Sequence, residues 1–308
     1  MVEEKIPFTT DTSVVSSELV EAAKMGFASA QWQVGNALYK ASEYEQAFFW
    51  IAKAAHKGIV PAMNALGYMY LNGLGCPVLE RRAFQWTAKA ALEGDNNAEM
   101  NLGLMYFHGQ GAAKNDSAAF HWVRKAAEAG NRDAVRFMAF FYMNGIGSKP
   151  DEAAAFVWYK KAADDGDVHA MTKMAQCYES GIGVDRDQIK ALDLYRRSSD
   201  RGDSEADVAL GRIYTTGNDV IIPDSPKAHF YLKKAAVSGH TEARRLYGEL
   251  LMQDGKDMIA AYFWLQLAAN GGSKGAYEDL KRFGPDYTWS LAQGHMRTVY
   301  GYVLGPSD

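Results

Sequence analysis

Small and apolar residues recur along this chain in two patterns that share one register. The first, Ala-Ala-x-x-Gly, begins at Ala22, Ala54, Ala90, Ala126, Ala162, Ala235 and Ala268, with Ser198-Ser199 in the remaining slot. The second sets an alanine four, five and eight residues ahead of an apolar, a small and a second apolar residue. It begins at Ala30, Ala62, Ala98, Ala134, Ala170, Ala206 and Ala243, and its opening alanine recurs at Ala276. Both run at intervals of 32, 36, 36, 36, 36, 37 and 33 residues. A period in this range means a stack of supersecondary units, none of which buries its apolar face alone.

Each unit reads as two helices. Ala62, Leu66, Gly67 and Tyr70, then Ala98, Leu102, Gly103 and Tyr106, have helical spacing, and the small residue lets a second helix approach closely. This first helix, A, is expected to end at Gly73, Gly109, Gly145, Gly181 and Gly217, where glycine takes a left-handed conformation without steric cost. The second, B, is expected to start near Asn115, Asp151, Asp187, Asp224 and Asp257, residue types that cap free backbone N–H groups. It carries Phe48 and Trp50, Phe84 and Trp86, Phe120 and Trp122, Phe156 and Trp158, and finally Tyr262 and Trp264. Gly58, Gly94, Gly130, Gly166, Gly202, Gly239 and Gly272 close it.

The run Ala98-x3-Leu102-Gly103-x2-Tyr106-x2-Gly109-x-Gly111, followed by Ala119-Phe120-x-Trp122-x3-Ala126-Ala127-x2-Gly130, resembles the Sel1-like repeat family, relatives of the tetratricopeptide repeats. Ala170-x3-Met174-x3-Tyr178-x2-Gly181-x-Gly183-Val184-x2-Asp187 matches equally well, and the resemblance covers roughly residues 18 to 283. It implies an all-α fold, an α/α right-handed superhelical solenoid of about seven helix-pair repeats with capping helices at both ends. Three segments are expected: a flexible arm over 1–16, the solenoid over 17–283 and a C-terminal capping helix within 284–308. Family members act mainly as adaptors and assembly scaffolds. Some carry a cysteine pair in every repeat, but the matching slots here hold Met63, Glu99 and Val135 against Ala55, Ala91 and Ala127. That departure argues against the disulfide-stapled branch and its penicillin binding.

Composition narrows the chemistry. The chain has 308 residues, a formal charge of −4 and two cysteines. Mild acidity argues against a nucleic-acid binder. No apolar run is long enough to span a membrane, and Met1-Val2-Glu3-Glu4-Lys5 is unlike a signal peptide, so a cytoplasmic protein is expected. Cys76 and Cys177 lie about three units apart, too far for a bridge. Neither the seven histidines nor any short catalytic motif suggests a metal, a cofactor or an enzyme. A column of cations (Lys53, Lys89, Lys125, Lys161, Arg197, Lys234) precedes the alanine pairs. It reads as a set of charges offsetting helix dipoles, with nearby acids cancelling any wider field. The B-helix tryptophans read as core.

The informative positions are those on helix A that the repeat does not use. By analogy with tetratricopeptide proteins, helix A lines a concave groove. The expected columns are Trp32, Asn64, Met100 and Arg136; then Asn36, Tyr68, Leu104 and Phe140; then Lys40, Asn72, His108 and Asn144. Exposed aromatics beside amides suit the grip of a polypeptide. The expected partner-binding set is Tyr68, Asn72, Leu104, His108, Arg136, Phe140 and Asn144, in a non-enzymatic interaction scaffold. A plainer role for the same residues is that Asn72 and Asn144 merely favour the turn before glycine and that Phe140 packs on its neighbour. Two further functions compete with the scaffold: an exported, host-directed or immunity-type factor, and an enzyme or small-ligand receptor built around His108, Arg136 and Glu99.

Overall fold

A computed structural model describes residues 15–255 and 257–301. Residues 1–14 of the expected arm and the last residues of the C-terminal segment, 302–308, lie outside the described residues. The first helix, α1 (Ser17–Lys24), precedes seven pairs. These are α2 (Ala28–Lys40) with α3 (Tyr44–His56), α4 (Val60–Asn72) with α5 (Glu80–Leu92), α6 (Asn96–His108) with α7 (Asp116–Glu128), and α8 (Arg132–Asn144) with α9 (Glu152–Asp164). The remaining pairs are α10 (Val168–Ser180) with α11 (Gln188–Asp200), α12 (Ser204–Thr216) with α13 (Ser225–Val237), and α14 (Thr241–Asp254) with α15 (Met258–Asn270). Then come α16 (Lys274–Leu280) and α17 (Trp289–Tyr300). No strand occurs among the described residues, and the protein is an all-α repeat solenoid.

The helices begin and end largely where the polar residues dictate. Asn115, Asp187, Asp224 and Asp257 accept a hydrogen bond from the backbone N–H three residues on, capping α7, α11, α13 and α15. Asp95, Asn131 and Asp167 do the same for α6, α8 and α10, so two of the acids that read as field-cancelling charges, Asp95 and Asp167, are caps of A helices. Gly73, Gly109, Gly145 and Gly181 end their helices in the left-handed conformation. Gly217 departs from the expectation. Its φ of 73° is followed by a ψ of 177°, because the longer loop folds back there and Asn218 N–H donates to Ile221 O at 2.8 Å.

Close approach explains the second glycine of the loops after α4, α6 and α8. A Cβ on Gly111 would lie 2.2 Å from the Glu80 carbonyl oxygen, which seats the loop after α6 on the first turn of α5. Within a unit, a Cβ on Gly103 would lie 2.5 Å from Val123 Cγ2, so this glycine sets how closely α6 packs on α7. Between units, Phe48, Phe84 and Phe120 meet Tyr70, Tyr106 and Tyr142 of the next unit edge to face, at 5.3, 5.2 and 5.3 Å. That is the geometry ring quadrupoles prefer.

The chain divides into two compact units between Ala162 and Ala163. Ile51, Leu66, Met69 and Leu102 are among the fully buried side chains of the first; Tyr195, Leu210, Leu232 and Trp264 are among those of the second. Each such side chain contributes about 1.5–3 kcal/mol by leaving water. The tryptophan column is only partly core. Trp50 and Trp264 are buried, whereas Trp86, Trp122 and Trp158 are half-buried. Lys89, Lys125 and Lys161 lie over these three rings at 5.4, 5.1 and 5.0 Å. The lysine column therefore does more than offset dipoles: it covers the rings one turn back.

A candidate groove on the A helices of the first unit

The seven expected groove residues fall on α4, α6 and α8, all in the first compact unit. Tyr68 and Phe140 are 46% and 39% exposed. Leu104 and Arg136 are half-buried, and Asn72, His108 and Asn144 are exposed. Asn72 and Asn144 each donate from Nδ2 to the carbonyl four residues back, Tyr68 O at 2.9 Å and Phe140 O at 2.8 Å. One donor of each amide thus closes its own helix end. Phe140 leans edge-on against Phe107 of α6 at 6.3 Å, so it packs on its neighbour while keeping a wet edge. Arg136 pairs with Asp133 at 3.3 Å.

One expected position fails. Met100 is 4% exposed, whereas Trp32, Asn64 and Arg136 in the same slot are half-buried. Spacings of three and four place Trp32, Asn36 and Tyr39 on one face of α2, and Asn97, Asn101, Leu104 and His108 on one face of α6.

Of these residues Trp32, Asn36, Tyr39, Asn97 and Asn101 line a cleft of about 380 Å³. Trp32, Asn36 and Tyr39 come from α2; Asn64 and Tyr68 from α4; Asp95, Asn97 and Asn101 from the start of α6. Of the seven expected residues only Tyr68 reaches it. A ladder of amides crosses between helices. Asn101 Nδ2 donates to Asn64 Oδ1 at 3.1 Å, Asn64 Nδ2 to Asp95 Oδ1 at 3.4 Å, and Asn131 Nδ2 to Asn97 Oδ1 at 3.0 Å. Asp95 Oδ1 also caps α6, accepting from Ala98 N–H at 2.7 Å. Among the described residues, the Asn36 amide, Asn97 Nδ2 and Asp95 Oδ2 make no hydrogen bond. The Tyr39 phenol is held above its ordinary pKa, first by burial and then by its neighbours Tyr68 and Tyr44.

A larger depression of about 910 Å³ lies around α1 and α3, but its lysines are committed. Lys24 pairs with Glu21 at 2.7 Å, Lys57 donates to Gly26 O, and Lys53 sits 4.2 Å over Phe49. Two column lysines reach buried acids. Lys125 Nζ meets Glu99 Oε1 at 2.7 Å, and Lys234 Nζ meets Asp207 Oδ1 at 3.0 Å. Glu99 therefore forms no site with His108 and Arg136: it is 2% exposed and belongs to the α6–α7 contact. Cys76 and Cys177 form no disulfide among the described residues. No group of three or more metal-ligating side chains occurs among the described residues, and no described helix is long and apolar enough to cross a membrane.

Comparison with known proteins agrees with this architecture. The Sel1 repeat model matches seven times, at residues 28–59, 60–95, 96–131, 132–167, 168–203, 204–240 and 241–273, each match beginning with one A helix and ending just past its B helix. The crystal structure of c5321, a protective antigen of uropathogenic Escherichia coli with an SLR fold, is similar at TM-score 0.73 and 29% identity. The similarity covers 92% of this chain and 63% of c5321, so this chain spans less than two thirds of that protein. A Sel1 repeat protein from Oxalobacter formigenes is similar at TM-score 0.71 and 35% identity, over 78% of this chain and 99% of that one. No curated protein matches the chain. With seven consecutive matches running from residue 28 to residue 273, this chain belongs to the Sel1 repeat family.

Proposed function

We propose that the protein is a non-enzymatic scaffold that holds an extended partner polypeptide along the A helices of its first unit. The observation that carries this reading is the cleft of about 380 Å³, where aromatic rings and amides from three successive A helices converge. Trp32, Tyr39 and Tyr68 serve as anchors there, and Leu104 and Phe140 continue the apolar track. Asn72, His108, Arg136 and Asn144 flank that track with polar groups. Amide side chains match the alternating donors and acceptors of a peptide backbone, and rings supply contact area at small entropic cost. A scaffold built from packed repeats is already ordered, so little entropy is lost when it binds. Sel1 repeats generally mediate contacts between proteins, which points the same way.

The test compares proteins retained from a soluble extract of the native host by the wild type and by the Tyr68→Ala/Phe140→Ala variant. Both side chains are substantially exposed, so the variant is expected to unfold within ~4 °C of wild type. A partner held by wild type and lost, or weakened more than about tenfold, in the variant supports the reading. Equal retention by both overturns it. The proposed place of action is the cytoplasm. The second reading is an exported factor, favoured by the similarity to c5321, a protective antigen. Cell fractionation of the native host separates the two.

A further inference from the structure

We infer that the cleft between α2, α4 and α6 takes a cationic side chain, a lysine or arginine, from the bound segment; the inference rests on the groove reading above. The protein's own habits supply the first argument. Its B-helix rings attract the chain's own cations: Lys53 lies over Phe49, and Lys89, Lys125 and Lys161 lie over Trp86, Trp122 and Trp158. Trp32, Tyr39 and Tyr68 line one cleft and carry no such cation among the described residues. Three aromatic rings around one space favour positive charge.

Charge complementarity is the second argument. Among the described residues, Asp95 is the one formally charged group lining the cleft, and neither a lysine nor an arginine lines it. Its Oδ1 is engaged by the α6 cap and Asn64, while Oδ2 accepts no hydrogen bond among the described residues. An anion would meet a carboxylate and three electron-rich rings. A neutral apolar side chain would suit the rings but leave Asp95 Oδ2 without a partner. A lysine or arginine satisfies both, with its stem on the rings and its head at the carboxylate. At about 380 Å³ the cleft is also larger than one such side chain, leaving room for neighbouring backbone beside the Asn36 and Asn97 amides.

The test uses randomised peptides displayed against the full chain, followed by fluorescence anisotropy of the selected peptides and their Lys→Gln or Arg→Gln forms. Asp95→Asn removes the charge and keeps the cap, because Asn131 already caps α8 through Oδ1 at 3.0 Å. Selected peptides are expected to be enriched in Lys or Arg, and the Gln forms to bind wild type about tenfold more weakly. In Asp95→Asn that ratio is expected to shrink below about threefold. Peptides that lose affinity in Tyr68→Ala but show no basic preference, or one that Asp95→Asn leaves intact, overturn the cation inference and leave the groove standing. Basic peptides unaffected by either variant bind elsewhere and overturn both. A selection that enriches nothing also overturns both.

Discussion

The A helices of the first unit and those of the second fill the same slot of the same repeat, yet they treat polar groups in opposite ways. In the second unit the charges answer one another. Lys173 on α10 meets Glu205 on α12 at 2.7 Å, and the Thr172 hydroxyl bonds Ser198 and Asp203, each at 2.6 Å. Arg245 on α14 is paired with Glu242 and Glu249 and approaches Asp279 on α16 at 4.0 Å. In the first unit the same face offers rings and amides with unused hydrogen-bonding groups. A network closed within the chain gives a ligand little to gain, since each new contact breaks an old one. Half-exposed rings and singly used amides gain on binding. The difference, rather than the shared repeat, is what makes the first unit the binding candidate.

The largest expected effect tests how each unit handles a buried acid. Lys234 donates to Asp207 Oδ1 and to both the carbonyl and hydroxyl of Ser199, at 3.0, 2.7 and 3.0 Å. Lys125 makes one ion pair, with Glu99 Oε1, beside its place over Trp122. Lys234→Met is expected to cost about 3 kcal/mol and Lys125→Met about 2 kcal/mol, read from urea unfolding curves, because each strands a buried carboxylate. Equal losses would erase the contrast between the closed network and the single pair.

A smaller effect tests the second unit's carboxyls. Burial, then the Asp279 carboxyl, pushes Glu249 up to about 6, with Arg245 opposing. An acid whose folded pKa is raised holds its proton more tightly when folded. Its stabilisation is therefore full below the unfolded value near 4.5 and is lost as pH rises through about 6. Glu249→Gln lacks this dependence. The melting temperature of wild type relative to Glu249→Gln is expected to fall by ~3 °C from pH 4.5 to pH 7, after allowance for solvent screening. A flat difference would show that Arg245 keeps Glu249 ionised throughout.

The smallest effect concerns the ring-covering lysines of the first unit. Lys89→Gln is expected to cost about 0.5 kcal/mol, measurable by chemical denaturation, since the contact with Trp86 is exposed. A loss several times larger would mean that these lysines carry the stack rather than merely cover it.

Most of the fold was legible in the chain because each unit states its rule several times. Gly73, Gly109, Gly145 and Gly181 end their helices alike, and Asn115, Asp187 and Asp224 start theirs alike. Gly217 differs because its loop is longer and folds back on itself, a choice made by a backbone contact rather than by residue type. The site was less legible. Tyr68 was found, but Tyr39, Asp95, Asn97 and Asn101 were not, although the stripe 97, 101, 104 and 108 on α6 was present to be read. Met100 misled because the slot that lines the cleft at Trp32 and Asn64 is buried in α6.

The period, helix pairing, caps and alanine seams follow from the sequence alone, since repetition and local propensity act over a few residues and need no distant partner. Only the tertiary structure decided which polar groups close on one another and which remain available. Asn64 bonds Asn101 and Asp95 across 37 and 31 residues, and Lys234 reaches Ser199 across 35. Such contacts depend on the distance and rotation between stacked units, and that geometry is the summed result of packing that no single repeat encodes.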